Sequence, residues 1–85
     1  MTDQKLSLAY AEKASDLATE ADNANVRKHA AGMRSRSAAY AIASGVAHFQ
    51  ECVEAGFITG KPYDGALSVL VALENAGLTI VRKRS

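Results

Sequence analysis

The chain has 85 residues and a formal net charge of +1, which is room for one small domain spanning 1–85 and too little for a second core. Seventeen of its residues are alanine and only eighteen are Leu, Ile, Val or Phe. Burial stabilises by roughly 25 cal/mol per Å² of apolar surface, so a monomer of this composition has a thin core, and self-association is expected to supply the rest. A single cysteine, Cys52, excludes an internal disulfide and points to a reducing compartment. "MTDQKLS" lacks the basic and then apolar pattern of a secretion leader, and the longest uncharged run, Ser37 to Gln50, is shorter than the about 20 residues that span a bilayer. The expectation is a cytoplasmic protein without a membrane segment.

Thr2 and Asp3 suit the start of a helix. Leu6, Tyr10, Ala14, Leu17, Ala21 and Ala24 then recur at helical spacing, predicting a first helix over 3–21. "DNAN", Asp22 to Asn25, offers side chains that compete with the backbone for hydrogen bonds. It reads as a turn with Asp22 or Asn25 capping the next helix, although one continuous helix also satisfies the pattern.

A long central helix is predicted over 26–55, stopped by Gly56 with Phe57 behind it in a Schellman pattern. Its apolar stripe changes face: Val26, Ala30 and Met33 lie on one side, and Ile42, Val46, Phe49 and Val53 on another. A helix with two apolar faces has two partners. The small uncharged middle nominates Ala39, Ile42, Ala43, Gly45, Val46 and Phe49 as a homodimer or higher-oligomer interface. "GFITGKPYDG" reads as a loop, Pro62 opens a third helix over 62–76, and Gly77 with Leu78 repeats the Schellman stop. "FIT" and "LTIVRK" could pair as a minimal two-stranded β element near the C-terminus. The fold class is therefore mainly α: three helices, the first two forming a hairpin, with a long one in the centre.

The small net charge hides segregation. Residues 1–25 carry −3 and residues 26–48 carry +4. In an antiparallel hairpin Glu20 would approach Arg27, while Glu12 and Asp16 would approach Arg34 and Arg36. Such exposed pairs are worth about 0–1 kcal/mol each and orient the hairpin more than they stabilise it. The competing reading is a site for phosphate or an acidic partner built from Arg27, Lys28, Arg34 and Arg36. Tyr10 or Tyr40 would stack on a base, and the basic tail Arg82, Lys83 and Arg84 would contribute further charge. Those cations point to different sides of a helix, so they do not form the single stripe a groove-tracking DNA helix prefers.

Chemistry is sparse. His48 and Cys52 stand four apart with Glu51 between them, but zinc wants four ligands, or three and a water, and the chain has two histidines and one cysteine. A Cys52 nucleophile would need a base and an orienting group. The loop "GFITGKPYDG" lacks the Gly-x-x-x-x-Gly-Lys-Ser/Thr order of a phosphate loop. No catalytic residue, metal site or cofactor is expected. The functional expectation is a small interaction protein, of the inhibitor or adaptor type that mobile elements encode, which binds and occludes or regulates a larger macromolecular partner. The alternatives are a nucleic-acid-binding regulator and an oligomeric binder of a nucleotide or other phosphorylated small ligand.

Overall fold

The computed structural model describes residues 5–81 and 83. It contains three helices, α1 (Leu6–Asn23), α2 (Arg27–Glu54) and α3 (Pro62–Asn75), and is mainly helical, as expected. The β element is not formed: neither Phe57–Thr59 nor Leu78–Val81 is a strand. A two-stranded ribbon is marginal by itself in water, and here the first of these segments starts the α2–α3 loop while the second trails from α3. The molecule is flat, 45 × 45 × 14 Å, with α1 and α3 each packed on α2.

The α1–α2 hairpin is antiparallel, and the two helices are separate, broken at Ala24–Val26. Its seam is a row of sevenths, Ser7, Ala14 and Ala21 on α1 against Ala30, Ser37 and Ser44 on α2, all buried. Two hydroxyls cross this seam to the opposing backbone: Ser37 Oγ donates to the Ala14 carbonyl at 2.7 Å and Ser44 Oγ to the Ser7 carbonyl at 2.7 Å. A hydroxyl on so short a stem reaches a neighbouring main chain only when the helices lie close, and among the described residues no buried side-chain polar atom lacks a partner.

The α2–α3 contact uses the same device. Ser68 Oγ donates to the Gly45 carbonyl at 2.7 Å, and a Cβ added at Gly45 would stand 2.6 Å from the Val69 Cα. Gly45 was expected in an interface between copies. It is instead consumed inside the chain, because α3 needs a position without a side chain to approach α2. The three helices meet at Ala14, Ala41 and Leu73, with Tyr40, Val69, Ala76 and Leu78 packed around them.

The bounds of α2 and α3 agree with expectation to within one residue, while α1 is displaced at both ends and the expected capping residues differ. α1 begins at Leu6, later than residue 3, because Lys5 is extended (φ −62°, ψ 143°). The expected Thr2 and Asp3 start lies outside the described residues. The α2 N-cap is Val26, with no side-chain cap bond, so neither Asp22 nor Asn25 caps it; Asp22 remains within the last turn of α1. Both Schellman stops form: Phe57 N–H reaches the Cys52 carbonyl and Gly56 N–H that of Val53, while Leu78 N–H reaches Leu73 and Gly77 N–H reaches Glu74. Gly56 and Gly77 adopt φ 79° and 78°, the left-handed turn that glycine enters without Cβ strain. The hydrophobic halves diverge, however. Leu78 joins the central cluster, whereas Phe57 is 79% exposed.

Two glycines of α2 predict opposite effects. Gly45→Ala must separate α2 from α3 and should cost about 1–3 kcal/mol by overpacking. Gly32 lies in the exposed helix interior with nothing within 4 Å of an added Cβ, so Gly32→Ala should stabilise by about 0.5–1 kcal/mol. Thermal melts followed by circular dichroism should show the two midpoints moving in opposite directions.

Candidate functional site: the groove between the first and third helices

Because α1 and α3 both pack on α2 from different sides, a trough remains between them. Leu8, Ala11, Ser15, Ala18 and Asp22 of α1 form one wall, and Ser68, Val71, Ala72 and Asn75 of α3 form the other. Ala41, Ser44, Gly45 and His48 of α2 make the floor, and the trough has a volume of about 370 Å³. The α1 wall residues succeed each other at intervals of three and four, one stripe of a helix. Their run from Leu8 to Asp22 corresponds to about 21 Å at 1.5 Å per residue.

Polar anchors sit at both ends. At one end the Glu51 carboxylate holds the start of α1. Ser7 Oγ donates to Glu51 Oε1 at 2.6 Å, and Ser7 N–H donates to Oε2 at 3.2 Å. The carboxylate thereby takes one of the helix's unpaired amides and lies at the positive end of its dipole. The hydroxyl bond from Ser7 is the main reason that Glu51 titrates below the ordinary glutamate value; the Ser7 amide, Lys5 and His48 add to it, and partial desolvation opposes it. At the other end Asp22 pairs with Arg34 at 3.6 Å, both side chains largely in water.

His48 and Cys52 touch, Nε2 to Sγ 3.6 Å. Among the described residues no three His, Cys, Asp or Glu side chains gather as a metal site would require.

The basic stretch is placed differently from the hairpin expectation. Arg34 does pair with α1, but with Asp22, whereas Glu12 and Asp16 were the expected partners. The seam on α1 is Ser7–Ala14–Ala21, and at about 100° per residue Glu12, Asp16 and Glu20 lie on the opposite or outer side of the helix. Arg27, Lys28, Arg36 and Lys83 are exposed, and none of them lines the groove. Arg82 and Arg84 lie outside the described residues. Tyr10 and Tyr40 are half-buried against each other across the hairpin, centroids 6.0 Å apart and planes tilted by 34°. Of the nominated interface residues, Ala39, Ile42 and Val46 are exposed on α2, Ala43 and Phe49 are half-buried, and Gly45 is buried under α3.

Sequence reading did not anticipate the groove. One signal was available, the heptad spacing of Ser37, Ser44 and Glu51 in line with Ala30, which marks small and polar side chains on a contact face. No family model matches the chain, and neither a curated protein nor a solved structure shows significant similarity to it. Among the described residues, no helix is long and apolar enough to cross a membrane.

Glu51 makes stability depend on pH in a definite direction. Its folded pKa is lowered, so its stabilisation is full above the unfolded value of about 4.3 and disappears as pH falls through the lower folded value. Melting temperature should drop on acidification through this window. Glu51→Gln should lower it at neutral pH and flatten that part of the acid dependence. The Cys52→Ala chain should keep its helicity and lose only modest stability, and elemental analysis of the purified protein should find no stoichiometric zinc.

Proposed function

We propose that this is a small, cytoplasmic, non-catalytic interaction protein, which binds an amphipathic helix of a larger protein partner in the α1–α3 groove and so occludes or regulates that partner. The observation that carries this reading is the lining: a trough walled by two helices and floored by Ala41, Ser44, Gly45 and His48. Alanine, serine and glycine make up most of the lining, and side chains this small favour the close approach of a fourth helix. Helix-in-groove recognition places apolar anchors at intervals of three and four, and the α1 wall presents that same interval. A phosphorylated small ligand fits the lining less well. Among the described residues no arginine or lysine lines the trough, and the only ionisable side chains that do are Asp22 and His48. The exposed cations on the outer turns of α2 support the nucleic-acid alternative only as scattered phosphate contacts.

Affinity capture from host lysate with mass spectrometry, in nuclease-treated and untreated arms, tests the reading. A Ser15→Trp variant should fill the trough from an exposed position. It should change stability by no more than about 0.5 kcal/mol and abolish capture, whereas Lys13→Trp on the outer side of α1 should retain it. The captured complex should survive nuclease and persist across roughly 50–200 mM salt, a range in which phosphate-driven binding falls by orders of magnitude. Capture lost on nuclease treatment, or untouched by Ser15→Trp, overturns the proposal.

A further inference from the structure

On the side of the layer away from the groove, α2 and α3 present a second surface. Phe49 packs on Gly65, and Val53 lies beside Gly60. Together with the Gly45–Val69 approach, these contacts define the antiparallel register of the two helices. At about 100° per residue, Ile42, Val46 and Val53 of α2 and Tyr63, Ala66 and Leu70 of α3 then fall on the helix sides turned away from the groove, and together they form an apolar strip. It is also open to water: Tyr63 is 72% exposed, Ile42 and Val46 43%, and Leu70 42%. No acidic or basic residue interrupts it at positions 39, 42, 46, 49, 53, 63, 66, 67 or 70.

We propose that this α2–α3 face is closed by a second copy of the chain in a two-fold symmetric dimer. Three observations select that occupant. The first is extent: Ile42, Val46, Val53, Tyr63, Leu67 and Leu70 are all open to water and span both helices, an apolar centre of the kind a stable interface of about 800 Å² per partner is built around. The second is charge. A two-fold interface places the same patch against itself, so any charge near the axis meets its like; this strip has none to repel. The third is the chain's own core. Its buried hydrophobic residues are Ala14, Leu17, Ala21, Ala30, Ala41, Ala47 and Leu73, mostly alanine, so apart from Leu17 and Leu73 the larger apolar side chains are left partly or largely open to water in the monomer. The dimer is independent of the groove, which lies on the other side of the layer and stays open in it. It also revises the interface expected from sequence: the large residues of α2 and α3 make it, while Gly45 takes no part.

Sedimentation velocity and light scattering on the full chain at micromolar concentration test the dimer directly. The expected mass is twice 9.0 kDa, and a monomer mass, or a trimer, overturns the proposal. Val46→Glu and Leu70→Glu, each at an exposed position, should weaken the dimer by at least about 100-fold, because each places two like charges in an apolar contact. Leu8→Glu, on the groove side, should leave it intact; a dimer broken by Leu8→Glu and spared by the other two changes overturns the assignment of the face. A crosslink avoids dependence on whether a charged variant folds. In a Cys52→Ser background, Val46→Cys should form an intermolecular disulfide on mild oxidation and Leu8→Cys should not. The reverse result refutes the face. Loss of the dimer does not remove groove binding, and loss of capture by Ser15→Trp does not change the mass, so the two proposals fail separately.

Discussion

The structure depends on how closely its helices approach. Short hydroxyls of Ser37, Ser44 and Ser68 span from one helix to the carbonyls of the next at 2.7 Å, and Gly45 leaves α3 no side chain to clear. A leucine at any of these positions would push the backbones apart and break the hydrogen bonds that its neighbours make. Each such bond adds about 1 kcal/mol net. Its larger effect is selective, because a serine buried in the seam without an acceptor would cost more than the bond contributes. Packing and polar satisfaction therefore demand the same geometry.

Close approach has a cost in apolar burial. A seam of alanine and serine removes little hydrocarbon from water, so dispersion contact and hydrogen bonding must make up what a leucine core would provide. The larger apolar side chains are displaced to the outside, onto Ile42, Val46, Tyr63, Leu67 and Leu70. Exposed apolar area in a small monomer marks a contact surface. The thin interior and the apolar exterior are thus one consequence of the same residue allocation, and the binding proposals made for the two sides of the layer follow from it.

Electrostatics plays a local part. Glu51 anchors the α1 start across 44 residues of sequence, doing for the helix what Thr2 and Asp3 were expected to do locally. Asp22 opposes the dipole at the α1 C-terminus, and Arg34 lies 3.6 Å away to offset it. The segregated charge blocks meet across the hairpin where Asp22 pairs with Arg34. Glu12, Asp16 and Glu20 lie toward the outer side of α1, and the cations are spread around the first turns of α2.

Several features were determined by the amino-acid sequence alone. The mainly helical content, the third helix opening at Pro62 and the two Schellman stops at Gly56 and Gly77 follow from apolar period and the special backbones of proline and glycine, which are properties of neighbouring residues. The polar turn at Asp22–Asn25, by contrast, left a hairpin and one continuous helix both open. Tertiary structure decided the rest: that Glu51 caps α1, that Arg34 meets Asp22 rather than Glu12 or Asp16, that Gly45 serves α3, and that a groove lies between α1 and α3. Those outcomes turn on how far one helix is rotated against another. Alanine and serine gain so little from burial that a pattern made of them fits several rotations nearly equally well, and only the combined packing and hydrogen bonding of all three helices selects one.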